Sequence, residues 1–92
     1  MLCKNIVNVF RGQISTLYKY RNNVGFISSR LIGKKARIDE IRYVLNSLFG
    51  EGEYYQYPKR NEYEFYFSTS ERIYKIVIID DGNEEGHISK IV

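Results

Sequence analysis

Between Gly33 and Gly50 runs a single long amphipathic repeat, and it limits the fold more than any other feature of the sequence. Ile38, Ile41, Leu45 and Leu48 recur at steps of three and four, and Val44 and Phe49 widen the same stripe. That spacing predicts a helix over residues 34–49 with one apolar side. Asp39, Glu40, Arg42, Tyr43, Asn46 and Ser47 fall largely away from the stripe. Gly50 supplies a left-handed stop, since glycine carries no Cβ penalty there.

The other stretches alternate with a period of two, and they read as strands. Residues 13–21 place Ile14, Thr16, Tyr18 and Tyr20 on one parity. The pair Asn22-Asn23 tolerates positive φ, and residues 24–31 return, so a first hairpin is expected. Residues 53–57, a tip at Pro58-Lys59-Arg60-Asn61 and residues 62–69 form a second. Residues 72–80 are β-branched and apolar on both parities, which suggests a strand covered on both faces; 70–77 also fits a short helix. A turn at Asp80-Asp81-Gly82-Asn83 precedes a short strand over 87–92, and residues 4–10 favour a first strand. Strands flanking a single helix give an α+β domain, with an antiparallel sheet of about 4–6 strands and the helix across one face. A helix of that length is about 24 Å long and covers only one side of the sheet. The other side is left for solvent, a second copy in a homodimer, or a partner.

Residues 1–92 suffice for a single domain with a thin core. Cys3 stands alone, so packing must hold the fold without a disulfide. The start, MLCKNIVNVFRGQ, is too short in apolar residues for a leader, and no stretch reaches the ~18 apolar residues of a membrane span. The expectation is a cytoplasmic protein with no membrane partner. The net charge of +3 conceals an asymmetry: residues 1–42 carry nine Lys or Arg against two acids, and residues 43–92 carry five against nine. A strongly basic half points to an anionic partner.

Residues 54–67 hold seven aromatic rings. Alternation puts Tyr63, Phe65 and Phe67 on one face, where they would meet the helix stripe, and Glu62, Glu64 and Tyr66 on the other. Tyr55 and Tyr57 share one side of the preceding strand, Tyr54 and Gln56 the other, and one of these pairs must point away from the helix. The candidate stacking or interface residues are therefore Tyr54, Tyr55, Tyr57 and Tyr66, with Lys59 and Arg60 at the hairpin tip. Rings that stack on bases beside cations that follow phosphates are how single strands are held. The neighbouring glutamates oppose that use, and cross-strand packing is the plainer reading. They are no obstacle to a protein interface, where Tyr and Arg are favoured anchors.

Lys34, Lys35 and Arg37 fall in the first turn of the expected helix, where the macrodipole prefers anions. Free N–H groups beside three cations suit a phosphate. With Arg30, Lys19 and Arg21 they make the candidate anion or nucleic-acid site, against the simpler reading of a solvated basic surface.

Catalytic groups are sparse. His87 is the only histidine and has no nucleophile near it in sequence; Cys3 has no zinc spacing, and the glycines form no phosphate loop. The run Asp80-Asp81-Gly82-Asn83-Glu84-Glu85-Gly86 lacks the alternating ligand spacing of a calcium loop. No metal, cofactor or catalytic residue is expected. The leading reading is a non-enzymatic module that binds nucleic acid, or a protein that handles it, through a basic patch. The alternative is an interaction or inhibitor domain that blocks a larger machine with a tyrosine-rich sheet face. A metal-independent small ribonuclease using Glu, Tyr, His and Arg is the lesser one.

Overall fold

Along the chain, the computed structural model, which describes residues 10–50, 52–68 and 72–92, forms three helices and five strands. These are α1 (Ile14–Lys19), α2 (Val24–Leu31), β1 (Lys35–Arg37), α3 (Ile38–Phe49), β2 (Glu53–Tyr57), β3 (Glu62–Ser68), β4 (Ile73–Gly82) and β5 (Glu85–Ile91). Single 3-10 turns occur at Arg11–Gln13 and Pro58–Arg60. The strands build one antiparallel sheet in the order β1-β5-β4-β3-β2. The expected α+β class and antiparallel sheet are present.

Helix α3 leaves β1 at one edge of the sheet and delivers the chain to β2 at the other. Twelve residues give about 18 Å of helix, close to the ~19 Å spanned by five strands at ~4.8 Å. Ile41, Val44, Leu45 and Leu48 of α3 are buried, together with Leu17 of α1 and Ile27 and Leu31 of α2. They share one core with Ala36, Phe65, Phe67, Ile76, Ile78 and Ile88, the side chains on one face of the sheet. All three helices therefore lie on that face. Phe49 stacks on Phe67 at 3.8 Å between ring centroids, and Phe67 stacks on Tyr74 at 5.2 Å, closing the core at the end of α3.

Two expectations are corrected. Residues 13–31 are two helices, not a hairpin. Strand parity would set Leu17 on a face with Lys19 and Arg21, yet Leu17 is fully buried. Helical spacing instead gathers Val24, Ile27 and Leu31 on one side, and the Asn23 side chain accepts the Phe26 N–H as an N-cap. Helix α3 starts at Ile38 rather than at Lys34, because Lys35, Ala36 and Arg37 pair with His87, Gly86 and Glu85 of β5. Its first turn carries Asp39 and Glu40, the charges the macrodipole favours. The centre of β4 is buried on both parities, as expected: Ile76 and Ile78 meet the helices, and Val77 is buried on the other side, where Ile79 is half-buried and Ile73 exposed.

The last turn is shifted from its expected place. Strand β4 continues through Gly82, and Asn83 and Glu84, both at positive φ (57° and 64°), make the two-residue hairpin turn. The turn at residue 50 is as expected, with Gly50 at φ 77°. Of the expected strand over residues 4–10, residues 4–9 lie outside the described residues, and Phe10 stands in a turn with its side chain buried.

Candidate nucleic-acid interface

Because all the described helices pack on one side, the opposite sheet face has no described element over it. Cross-strand pairing fixes which side chains occupy that face. One row runs Tyr57, Glu62, Ile79, His87, Lys35 across all five strands. The next runs Tyr55, Glu64, Val77, Lys90, and a third Glu53, Tyr66, Lys75. Tyrosines and carboxylates thus collect on β2 and β3, and cations with the histidine on β5 and β1.

The tyrosine half is tied together by hydrogen bonds. The Tyr66 hydroxyl donates to Glu64 Oε1 at 2.7 Å, and Lys75 Nζ stands 3.8 Å from Glu64 Oε2. Glu64 is buried to 9% exposure between these neighbours. The Tyr66 bond holds its carboxyl below the usual range against the opposing effect of burial, with help from Lys75, Tyr57 and Arg60. The same bond, with burial and the Glu64 charge, pushes the Tyr66 hydroxyl up to about 12. Tyr55 donates to Glu53 Oε1 at 3.0 Å, which raises its pKa too, and packs edge-on to Tyr66. Arg60 of the hairpin tip lies over the Tyr57 ring at 4.3 Å.

Tyr54 belongs to the opposite face. Its ring packs on Phe65 at 4.6 Å between centroids and under Arg42, and burial pushes its hydroxyl up to about 12, a shift that Arg42 opposes. It is therefore not available to the bare face with Tyr55, Tyr57 and Tyr66.

The expected basic cluster at a helix start does not form there. Arg37 is held by Asp39 at 3.2 Å and Glu84 at 2.8 Å, which raise its pKa and cancel its charge locally. The other five follow a different path. Lys19 Nζ lies 5.6 Å from the Tyr20 ring, Tyr20 packs on Phe26 at 4.8 Å, and Arg30 covers Phe26 at 4.6 Å. Arg21 stacks on Tyr18 at 3.8 Å and donates to its carbonyl oxygen. Lys34 follows in the corner after α2, where its N–H reaches the Leu31 carbonyl. Lys35 begins β1 and turns onto the bare face beside His87. Residues 14–35 contain no Asp or Glu. Among the described residues, none of Lys19, Arg21, Arg30, Lys34, Lys35 and Lys90 has a carboxylate at ion-pair distance. In chain order these cations run from the α1–α2 turn along α2 to Lys35, which faces the side of the sheet with no described element over it.

Several carboxylates gather elsewhere. Asp39, Asp80, Asp81 and Glu84 line a recess with Arg37 and Arg42 at the opposite end of α3 from the α1–α2 turn. Among the described residues no group of three potential metal ligands has metal-binding geometry.

His87 Nδ1 lies 2.7 Å from Asp81 Oδ2. A carboxylate only accepts, so Nδ1 carries the proton and Nε2 is the ring nitrogen turned away from Asp81. Sequence reasoning missed this pair. Asp81 read as part of a turn, whereas β4 runs past it and the hairpin folds it back against β5. An acidic residue six positions before a lone histidine, across a turn signal, was the available clue.

No protein-family model, no curated protein and no solved structure matches this chain. Among the described residues no helix is long and apolar enough to cross a membrane.

Proposed function

We propose that the protein is a binding module for nucleic acid, held along the basic band from Lys19 and Arg21 through Arg30 and Lys34 to Lys35 and Lys90. The observation that carries this reading is the run of cations without carboxylate partners among the described residues, interleaved with the exposed rings of Tyr18 and Tyr20, at 47% and 42% exposure. Cations that track a phosphate backbone and rings that offer faces to bases are the two parts a single-strand site requires. Asp39, Asp80 and Glu84 are collected at the other end of α3, Glu53 and Glu64 are bound to tyrosines, and Asp81 is bound to His87. In an oligonucleotide anisotropy titration at low salt, Lys34→Ala/Lys35→Ala weakens binding several-fold. Unchanged affinity in that variant removes the band as the site.

A second reading has its own observation. Tyr55 and Ile73 are exposed at 46% and 66% on the bare face, beside Glu53. This half suits a protein surface, either a partner or a second copy of the chain, where tyrosines serve as anchors. If Tyr55→Ala/Tyr57→Ala abolishes capture of a stoichiometric protein from nuclease-treated lysate while the lysine variant does not, the face is a protein interface. Light scattering then separates self-association from a foreign partner.

A further inference from the structure

We propose that the His87 end of the uncovered face cleaves RNA by internal phosphate transfer, with His87 as the acid and Glu62 as the base. This rests on the nucleic-acid reading above and gives it a substrate class, RNA rather than DNA.

The geometry begins with the row Glu62, Ile79, His87, Lys35. Glu62 and His87 point the same way from strands two places apart, so their backbones are separated by about 10 Å. Side chains extending from both can reach a phosphodiester lying over the half-buried Ile79. Glu62 has no hydrogen bond or ion pair among the described residues, in contrast to Glu64, which is engaged by Tyr66 and Lys75. Asp81 orients the His87 ring through Nδ1, which leaves Nε2 directed away from Asp81. Lys35 stands opposite His87 on β1, and Lys90 follows it on β5 on the same face. Their ammonium groups would hold the non-bridging phosphate oxygens as charge accumulates on them.

The step balances without a co-reactant. Glu62 takes the proton of the ribose 2′-hydroxyl as the 2′-oxygen forms a bond to phosphorus. The bond from phosphorus to the 5′-oxygen breaks, and the departing oxygen takes the proton from His87 Nε2. The products are a 2′,3′-cyclic phosphate and a free 5′-hydroxyl. Glu62 is left protonated and His87 neutral, and exchange with water restores both. Asp81 acts only through His87 and is a positioning residue. DNA, which lacks the 2′-hydroxyl, would bind and stay intact.

The test uses the full chain with a short mixed-sequence RNA in the presence of EDTA, with products identified by mass spectrometry. Binding is followed in parallel on DNA of the same sequence. Cleavage to a 2′,3′-cyclic phosphate is expected. His87→Gln and Glu62→Gln should each slow it by about 100-fold or more, the usual worth of a positioned acid or base, with DNA affinity unchanged. Arg30→Ala, in the binding band, should weaken RNA and DNA binding to a similar degree. RNA that is bound but never cut overturns the cleavage proposal and leaves the band standing. RNA neither bound nor cut removes both. Cleavage that survives both glutamine substitutions shows that His87 and Glu62 do not perform it.

Discussion

Glu64 shows how far a single neighbour can set the state of a side chain. It is buried on a face with no described element over it, because Tyr66, Lys75 and the adjacent strands close around it. Its pKa is held down mainly by the Tyr66 hydroxyl, so the folded state favours the carboxylate. The unfolded chain binds the proton first as pH falls, so this contribution is present above the ordinary glutamate pKa and lost as pH drops through the lower folded value. Tyr66 works in the opposite range: with its hydroxyl raised to about 12, its contribution is lost as pH rises from the ordinary tyrosine value of 10.0 toward that point. Tyr66→Phe removes the donor. It should destabilise the fold at neutral pH and let the Glu64 carboxyl titrate closer to the ordinary glutamate value, because a hydrogen bond to a charged group is lost. Denaturant unfolding with NMR titration of the Glu64 carboxyl checks this, and an unmoved Glu64 titration would contradict it. Alternation alone placed Glu62, Glu64 and Tyr66 opposite Phe65 and Phe67, and the sheet agrees. Which of Tyr54 and Tyr55 faced outward was not legible, because the register of β2 on β3 decides it and a shift of one residue reverses the answer.

Among the elements, the second hairpin, α3 and the long strand β4 followed from periodicity, and the segment before them did not. Residues 14–31 alternate well enough to mimic strands, since Ile14, Tyr18 and Tyr20 fit a period of two. The burial of Leu17, Ile27 and Leu31 shows that the longer period prevails, and that choice depends on contacts with α3. Asn23 marks the start of α2 through its bond to Phe26 N–H, yet the same residue suits a hairpin turn. Asn23→Ala should destabilise the domain by about 1 kcal/mol, the typical worth of an N-cap. Asn23→Ser, which keeps an acceptor, should recover most of it; thermal unfolding monitored by circular dichroism reads both. Equal losses in the two variants would mean that the cap does not hold α2. A similar ambiguity moved the start of α3: Lys34 to Arg37 fit the helical pattern in isolation, but pairing with β5 takes three of them into the sheet. At Gly86, in the middle of that pairing, a Cβ would run into the Ile79 carbonyl oxygen and the Ile38 side chain. Gly86→Ala should therefore lower the unfolding temperature by several degrees through displacement of β4 and the start of α3 from β5, and an unchanged value would count against this packing.

Across the whole molecule, the charge asymmetry of the sequence survives folding in altered form. The amino-terminal cations do not gather at a helix start. They are spread from the α1–α2 turn along α2 to β1, the path of the proposed band, while Arg37 is drawn off by Asp39 and Glu84. That path could not be read from the chain, because it depends on α1 and α2 being helices and on β1 lying beside β5. The direct measurement is the salt dependence of oligonucleotide affinity for the intact protein. Single-stranded binding loses about 0.7 in log–log slope per phosphate neutralised. A band that engages five phosphates predicts a slope near −3.5 on that basis, reduced in magnitude by about 1.4 in Lys34→Ala/Lys35→Ala. A flat salt response, or no binding at low salt, would contradict the account.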